Sequence, residues 1–541
     1  MTTGYLTVAN AGTSGSLSGG IMAQQRRGRS PKVGGGGGQA TMISSNINLL
    51  NTIIGAGTLA MPLALSHFGV MLGVLLILWC GLTSAFGLYL QSRCARYIDR
   101  GSSSFFALSQ MTYPNAAVVF DAAIAIKCFG VGVSYMIIIG DLMPGVAEAF
   151  GSQATGLAFL EDRKFWITAF FLVFIIPLSF PKRLDSLKYT SIVALLSIGY
   201  LVILVVYNFG AGSFPPRTDI RIITWEGPVA ALSSLPVMIF AYTCHQNMFS
   251  ILNEIKDNSP GSIVGVIGSS IGSAASVYIL VAITGYLTFG SDVEGNIVGM
   301  YPASIASTIA KAAIVVLVTF SIPLQIHPCR ASIDAVLRWR PGKVTVQAQT
   351  GNSGRASPAH NQPLLPSSSA PSTLDSHGAP VAAISELRFA LITAAILVFS
   401  YMTALNVSSL DRVLAYVGST GSTAISFILP GLFYYKISDP ASIHHQRLTK
   451  EDDDADFSNS ENDEEDDEDE PSMLESVHSL RSAASAVSAV SRWRWRRKWR
   501  WDMEHLEAEL LRKMSLLLAV YGGCVMVVCL VMNTFFTAAP H

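Results

Sequence analysis

The chain has 541 residues, of which 13% are charged, and its formal net charge is −1. Ordinary globular proteins carry roughly 25% charged residues, and 32 of the 73 charges here lie between Lys436 and Lys513, so the other 463 residues carry only 41. A soluble domain with so few charges could not cover its surface with polar groups, and the mean hydropathy is +0.43. The composition therefore excludes a soluble enzyme, a disordered regulator and a secreted scaffold. It indicates a polytopic membrane protein.

The chain is predicted to be all-α, with a disordered cytosolic tail over residues 1–42, because this segment is rich in Gly and Ser. A membrane-spanning helix needs about 20 apolar residues. Eleven windows satisfy this, at roughly 43–67, 70–92, 116–140, 165–180, 187–210, 229–252, 262–288, 306–326, 385–405, 412–435 and 514–536. The predicted organisation is spans one to eight in 43–330, a disordered linker in 331–384, spans nine and ten in 385–435, a second linker in 436–513, and span eleven with a short luminal tail in 514–541.

The distribution of basic residues predicts the orientation in the membrane. With the N-terminus in the cytosol, the cytosolic segments hold 29 of the 36 Lys and Arg residues, and the opposite side holds five. The inverted orientation would violate the positive-inside rule. We therefore expect a cytosolic N-terminus and a luminal C-terminus.

The first span contains the sequence Asn51-Thr-Ile-Ile-Gly-Ala-Gly-Thr-Leu-Ala-Met-Pro62. Pro62 cannot donate a hydrogen bond to the carbonyl of Thr58, and Gly55 and Gly57 allow the backbone to leave helical geometry. These residues predict a short unwound stretch near mid-membrane and a new helix N-terminus at about residues 57–60. Such a terminus has free N–H groups and a positive dipole, which suit a carboxylate. The alternative is a simple proline kink with close packing at the glycines.

The sixth and eighth spans carry similar signals. Pro236 interrupts the sixth, and the polar stretch Ala241-Tyr-Thr-Cys-His-Gln-Asn247 in its middle needs partners or a cavity. Two broken helices, one at the head of each five-helix half, are typical of inverted-repeat transporters. In the eighth span Pro323 frees the carbonyl of Thr319. This carbonyl oxygen and the hydroxyl oxygens of Thr319 and Ser321 are ligands that suit a small cation. A hydroxyl bonded to its own helix is the alternative.

The second linker contains two opposite charge runs. From Glu451 to Glu470, 14 of 20 residues are acidic, and such a run cannot fold alone. From Arg492 to Trp501, six bases alternate with four tryptophans immediately before the last span. This position favours anionic lipid headgroups as the partner. Stacking on nucleic acid uses the same residue types, but beside a membrane span we expect no nucleic acid.

Several stretches resemble the amino acid/auxin permease family. They are residues 51–62, Cys128 with 129–141, 180–188, 240–247 and the prolines and arginine of 323–330. The first looks most like the vacuolar amino acid transporters, which are related to the sodium-coupled neutral ones. The resemblance covers about residues 40–330 and 385–536. It implies a LeuT-like 5+5 inverted repeat plus an eleventh helix, which agrees with the eleven windows.

The resemblance also implies a binding site. The α-carboxylate of an amino acid would meet backbone N–H groups of the broken first helix, and its α-amino group would meet carbonyls of the broken sixth. The implied substrate-binding residues are Gly55, Ala56, Gly57, Thr58, Ala241 and Tyr242. Sodium-coupled relatives use an asparagine in the first span and a hydroxyl in the eighth. The expected ion-coupling residues are Asn51, Thr319, Ser321 and His245.

Two features favour a proton over sodium as the coupling ion. The outer loop 211–228 lacks the cysteines and the glycosylation sequon of the plasma-membrane sodium-coupled relatives. His245 is the one group near mid-membrane whose charge could change at vacuolar pH, although a neutral, hydrogen-bonded histidine is the alternative.

The sequence thus predicts a secondary active amino acid transporter of the vacuolar membrane that works by alternating access. We expect no metal and no cofactor besides the coupling ion, and no enzymatic activity, because no nucleotide-binding loop, metal cluster or nucleophile elbow is present in the sequence. The alternatives are an amino acid-sensing receptor that signals through the long linkers, a sodium-coupled neutral amino acid transporter, and a uniporter or channel.

Overall fold

The structure is a computed structural model, and it describes residues 40–98, 101–150, 158–181, 190–212, 219–338, 385–447 and 509–536. These residues are nearly all helical, which confirms the predicted fold class of an all-α polytopic membrane protein. The described part of the chain holds nine helices that are long and apolar enough to cross a membrane, or ten if the bent pair Met42–Ile53 and Ala56–Phe68 is one span. The predicted count of eleven is not confirmed, because the helix at the fourth window, Arg163–Ser179, is shorter than the others.

The helices are numbered in chain order. They are α1 Met42–Ile53, α2 Ala56–Phe68, α3 Val70–Ala95, α4 Phe105–Thr112, α5 Ala117–Ala149, α6 Arg163–Phe170 with its continuation to Ser179, α7 Thr190–Gly210, α8 Pro228–Ala241, α9 His245–Glu254, α10 Pro260–Phe289, α11 Ile305–Arg338, α12 Glu386–Asn406, α13 Leu410–Ile437 and α14 Glu509–Phe536. Short π-helical turns interrupt α13 at Gly418–Ser422 and Ala424–Ile428.

The first span is broken, as the sequence predicts, but the break lies slightly earlier. Residues Ile54 and Gly55 are not helical, and α2 begins at Ala56 at an angle of 56° to α1. Pro62 lies inside α2. The predicted helix start at about residues 57–60 is therefore corrected to Ala56. The break occurs where a buried hydroxyl group reaches the released carbonyl of Ile53, since a backbone group freed inside a membrane must find another partner.

The sixth span is also broken, at residues 242–244 between α8 and α9. Pro236 lies inside α8 and does not interrupt it. The end of α8 is tightened by i→i−3 bonds, in which the N–H groups of Tyr242 and Thr243 donate to Ile239 and Phe240. The polar stretch after Ala241, rather than the proline, therefore marks the break.

The eighth span is continuous, contrary to the expected break at Pro323. Helix α11 runs from Ile305 to Arg338 with Pro323 and Pro328 inside it, and it packs along α5. A proline removes one backbone hydrogen bond, and α11 continues through both prolines despite that loss.

Large apolar side chains cover the outside of the helices. Leu75, Leu82, Leu196 and Ile203 each expose more than 60% of their surface. A soluble protein rarely exposes such a continuous apolar surface, whereas a bilayer covers it. The polar residues discussed below lie in the interior, where the two broken spans meet.

Candidate functional site

The two broken spans touch at the centre of the bundle. A Cβ atom placed on Gly57 of α2 would lie 2.6 Å from the Cβ of Ala241 and 2.8 Å from its Cα. Contacts this short leave no space for a side chain at residue 57. The structure therefore brings the predicted residues of the first span, Gly55, Ala56, Gly57 and Thr58, next to those of the sixth, Ala241 and Tyr242.

The start of α2 offers hydrogen-bond donors. Gly55 occupies the N-cap position without a side-chain cap, and the N–H of Thr58 donates to the carbonyl of Gly55 over 3.0 Å. The first N–H groups of a helix have no partner within the helix, and the helix dipole adds positive potential there. This end of the site has the chemistry that an anionic group requires.

Tyr278 of α10 joins the two breaks, although it is not among the predicted site residues. Its hydroxyl oxygen lies 2.7 Å from the carbonyl oxygen of Ile53 and 2.7 Å from that of Ala241. A phenol has a single proton, so one hydroxyl faces two acceptors. Three oxygen atoms thus converge on one buried point. The sequence does contain one indication of this role, since a tyrosine hydroxyl inside the apolar window 262–288 needs a polar partner in hydrocarbon.

The second carbonyl expected to take part, that of Tyr242, is already engaged. The hydroxyl of Ser84 on α3 donates to it over 3.0 Å. The Tyr242 ring packs edge-to-face on Tyr278 with ring centres 5.1 Å apart, and its hydroxyl has no hydrogen-bond partner within the described ranges. Both carbonyls of the sixth span thus face a hydroxyl, but Tyr278 has one proton for two acceptors, so the Ala241 carbonyl keeps more capacity for another donor than the Tyr242 carbonyl.

One wall of the site comes from α5. The hydroxyl oxygen of Tyr135 would lie 3.6 Å from a Cβ on Gly55, which places this tyrosine beside the break of the first span. Thr58 is fully buried next to Tyr278. The break of the first span is thus enclosed by hydroxyl-bearing side chains from two other helices.

His245 is braced at the start of α9. Its Nε2 atom lies 3.2 Å from the carbonyl of Ser84, and its own carbonyl accepts a hydrogen bond of 2.9 Å from the side chain of Gln91. The ring is fully buried. A Cβ on Gly87 would lie 2.8 Å from Nε2, so the space around the ring is filled. These contacts fit a neutral imidazole that carries its proton on Nε2.

The remaining expected ion-coupling residues do not form a joint site through hydrogen bonds. The hydroxyl of Thr319 donates to the carbonyl of Val315 over 2.7 Å, and that of Ser321 to Leu317 over 2.8 Å, each within α11. Asn51 is half-buried on α1. Among the residues of known position, no hydrogen bond links Asn51 to α11, and no group of three His, Cys, Asp or Glu side chains could hold a metal ion.

A polar link does join α1 to α9 nearby. The side-chain amide of Asn247 donates to the hydroxyl of Thr52 over 2.9 Å, and this hydroxyl donates to the carbonyl of Asn48 over 3.0 Å. The part of the first span before its break, α1, is therefore tied to the second half of the sixth span, α9.

Comparison with known proteins gives consistent matches. Residues 38–453 match the family described as "Transmembrane amino acid transporter protein". The chain is 44% identical to vacuolar amino acid transporter 5 of Schizosaccharomyces pombe, over 74% of this chain and 86% of the relative. It is 42% identical to vacuolar amino acid transporter 6 of Saccharomyces cerevisiae, over 74% and 90%. It is 26% identical to sodium-coupled neutral amino acid transporter 7 of Bos taurus, over 62% and 73%.

Proposed function

The chain belongs to the transmembrane amino acid transporter family, and from this premise we propose that it is a secondary active amino acid carrier with its substrate site at the two helix breaks. The observation that carries the proposal is the convergence of the Ile53 and Ala241 carbonyls on the Tyr278 hydroxyl, beside the N-terminus of α2. Every amino acid carries a carboxylate and an ammonium group, and this arrangement offers donors for the first and acceptors for the second.

In this proposal the carboxylate lies at the N–H groups of Ala56 and Gly57, flanked by Gly55 and Thr58. The ammonium group lies at the carbonyl of Ala241, next to Tyr278. Helix N-termini bind carboxylates through N–H groups and dipole together. Because the contacts involve only atoms that all amino acids share, this part of the site recognises the substrate class.

The breaks also provide the hinges for alternating access. Residues 54–55 and 242–244 are already outside regular helix. The two halves of each span can therefore change their angle without unwinding more helix. Discontinuous spans at the repeat interface are the recurring device by which such carriers open to one side at a time.

We place the carrier in the vacuolar membrane, with the N-terminus cytosolic, the C-terminus luminal and a proton as the coupling ion. The two yeast relatives are named vacuolar amino acid transporters, and the basic residues favour this orientation. Asn51, Thr319 and Ser321 are proposed to tune the coupling, and His245 to hold α9 in place. The sodium-coupled relative of Bos taurus supports sodium coupling as the second candidate.

We also propose that Arg492–Trp501, which lies outside the described residues, binds anionic lipid headgroups. Each base near such a surface contributes about 1 kcal/mol, and six bases are present. A peptide of residues 485–505 should bind anionic liposomes and dissociate at high salt. Equal binding to neutral liposomes at every salt concentration would contradict the electrostatic part of this proposal.

Flux measurements test the proposed function. The purified full-length protein is reconstituted in liposomes, and uptake of labelled amino acids is followed under an imposed proton gradient, an imposed sodium gradient, or neither. We expect accumulation of at least one amino acid, driven by the proton gradient. Accumulation driven only by sodium would support the second candidate. Saturable binding without any flux would indicate the receptor alternative instead of a carrier.

A further inference from the structure

A cavity of about 430 Å³ lies where α3 ends and α10 begins. Its walls come from the last turns of α3 and the residues that follow it, the last turn of α9 and the residues that follow it, and the start of α10. None of the residues of the candidate substrate site lines it. Its volume falls within the range of about 300–1,000 Å³ that is usual for small-molecule sites. The cavity is therefore a separate feature that the transport site does not explain.

The cavity contains two basic side chains. Arg93 and Arg96 both line it, and because they are three residues apart at the end of α3 they lie on one helix face. The described part of the lining includes no aspartate or glutamate. Hydroxyl and amide groups that can donate hydrogen bonds complete the polar part, and they belong to Tyr89, Ser103, Asn253 and Asn258. Ser92 also lines the cavity, but its hydroxyl donates to the carbonyl of Tyr89. This set of groups matches a phosphate, which accepts several charge-assisted hydrogen bonds.

Hydrogen bonds hold the cavity wall in shape. The backbone N–H of Ser103 donates to the side-chain oxygen of Asn253 over 3.1 Å, and the amide of Asn253 donates to the carbonyl of Ser103 over 2.9 Å. Ser259 caps α10 by accepting a hydrogen bond from the N–H of Ser262. The 30-residue helix α10 begins at Pro260, which lines the cavity, so its positive dipole end adds to the arginines.

The cavity also has an exposed apolar side. Val264, in the first turn of α10, lines the cavity and is 49% exposed, and Ile263 lies beside it. The arginines are at the end of the bundle that the positive-inside rule assigns to the cytosol. Basic pockets between membrane helices on this side suit phosphorylated lipid headgroups.

We propose that this cavity binds the phosphate of an anionic lipid of the cytosolic leaflet, with Arg93 and Arg96 as its main ligands. The lipid's acyl chains lie along the outer face of α10 at Val264. The headgroup bridges α3 and α10, so its binding stabilises the folded protein. This inference does not depend on the proposed transport function, because the cavity shares no residue with the transport site.

The test uses the full-length protein in nanodiscs of phosphatidylcholine. The probes are a short-chain phosphatidylinositol phosphate and inorganic phosphate. The dissociation constant of each probe is measured, together with the shift that it causes in the thermal unfolding midpoint of the protein. We expect saturable binding of the lipid, weaker binding of inorganic phosphate, and at least tenfold weaker lipid binding in Arg93→Gln and in Arg96→Gln. Arg447→Gln is the control, because Arg447 does not line the cavity, and it should bind as the unmodified chain does.

A second variant covers the case in which an arginine substitution unfolds the protein, since Arg93 also lies close to Tyr434. Asn258 is exposed at the cavity wall, so Asn258→Asp adds a negative charge without disturbing the core, and lipid binding should again weaken. The proposal is overturned if the unmodified protein does not bind the lipid, if all variants bind it equally, or if inorganic phosphate binds as tightly as the lipid.

Discussion

Gly57 and Ala241 lie so close together that a Cβ on residue 57 would stand 2.6 Å from the Cβ of Ala241. These residues belong to different broken spans, one in each predicted half of the protein. Their contact sets how closely the N-terminus of α2 can approach the end of α8. The geometry of the whole candidate site depends on this distance, because its donors and its acceptors are on opposite sides of it.

Gly57→Val should reduce transport by orders of magnitude, because the added atoms have to push Ala241 away and so separate the donors from the acceptors. Gly57→Ala should also impair transport, since even its single Cβ has no space. The measurement is uptake rate per amount of reconstituted protein. Gly132→Ala is the control, because a Cβ there meets nothing within 4 Å. Normal transport by Gly57→Val would mean that the substrate site lies elsewhere.

Tyr278→Phe should raise the KM for the transported amino acid about tenfold. It removes the hydroxyl that meets both freed carbonyls, and an unmade buried hydrogen bond costs about 1–3 kcal/mol, where 1.4 kcal/mol corresponds to tenfold. Tyr242→Phe is a matched control, since the Tyr242 hydroxyl has no hydrogen-bond partner within the described chain. If both variants changed KM equally, the position of the Tyr278 hydroxyl would not matter for binding.

Asn51→Ala should change the dependence on the driving gradient more than the maximal rate. The substitution removes a side-chain oxygen without adding bulk, and other ligands of a coupling ion would remain. Uptake is compared at several imposed proton and sodium gradients. A fall in maximal rate with unchanged gradient dependence would contradict the proposed coupling role of Asn51.

His245→Gln should keep the response to an imposed proton gradient. Glutamine retains an N–H group that can donate to the carbonyl of Ser84, which the Nε2 atom of His245 meets at 3.2 Å. This hydrogen bond holds α9 in place without a group that changes its charge with pH. Uptake is measured between pH 5 and pH 8, and thermal unfolding is recorded alongside it. Loss of the pH response in a well-folded variant would assign proton coupling to His245 after all.

Lys127→Met should raise the thermal unfolding midpoint. Lys127 on α5 is 4% exposed and forms no ion pair with residues inside the described ranges, and an unpaired charge in a membrane interior is costly. Lys311→Met is the matched comparison and should lower the midpoint, because the ammonium group of Lys311 donates to the carbonyl of Tyr301 over 2.8 Å. A lower midpoint in both variants would show that Lys127 is stabilising as it stands.

The amino-acid sequence determined the environment of the protein and its family. Charge scarcity and long apolar windows suffice to identify a membrane-embedded helical bundle, because hydrocarbon accepts few other backbone arrangements. The family resemblance drawn from the motifs is confirmed by the match over residues 38–453. Local chemistry also located both breaks within a few residues, since glycine and clustered polar side chains weaken a helix wherever the helix packs.

Only the tertiary structure decided which residues complete the site. The break of the first span falls at residues 54–55 because Tyr278, 225 residues away, reaches the carbonyl of Ile53. The eighth span stays continuous through Pro323, just as α2 continues through Pro62 and α8 through Pro236. Inside a membrane every freed backbone group must be satisfied by some neighbour, and which neighbour comes within 3 Å depends on how distant segments pack, which no local pattern encodes.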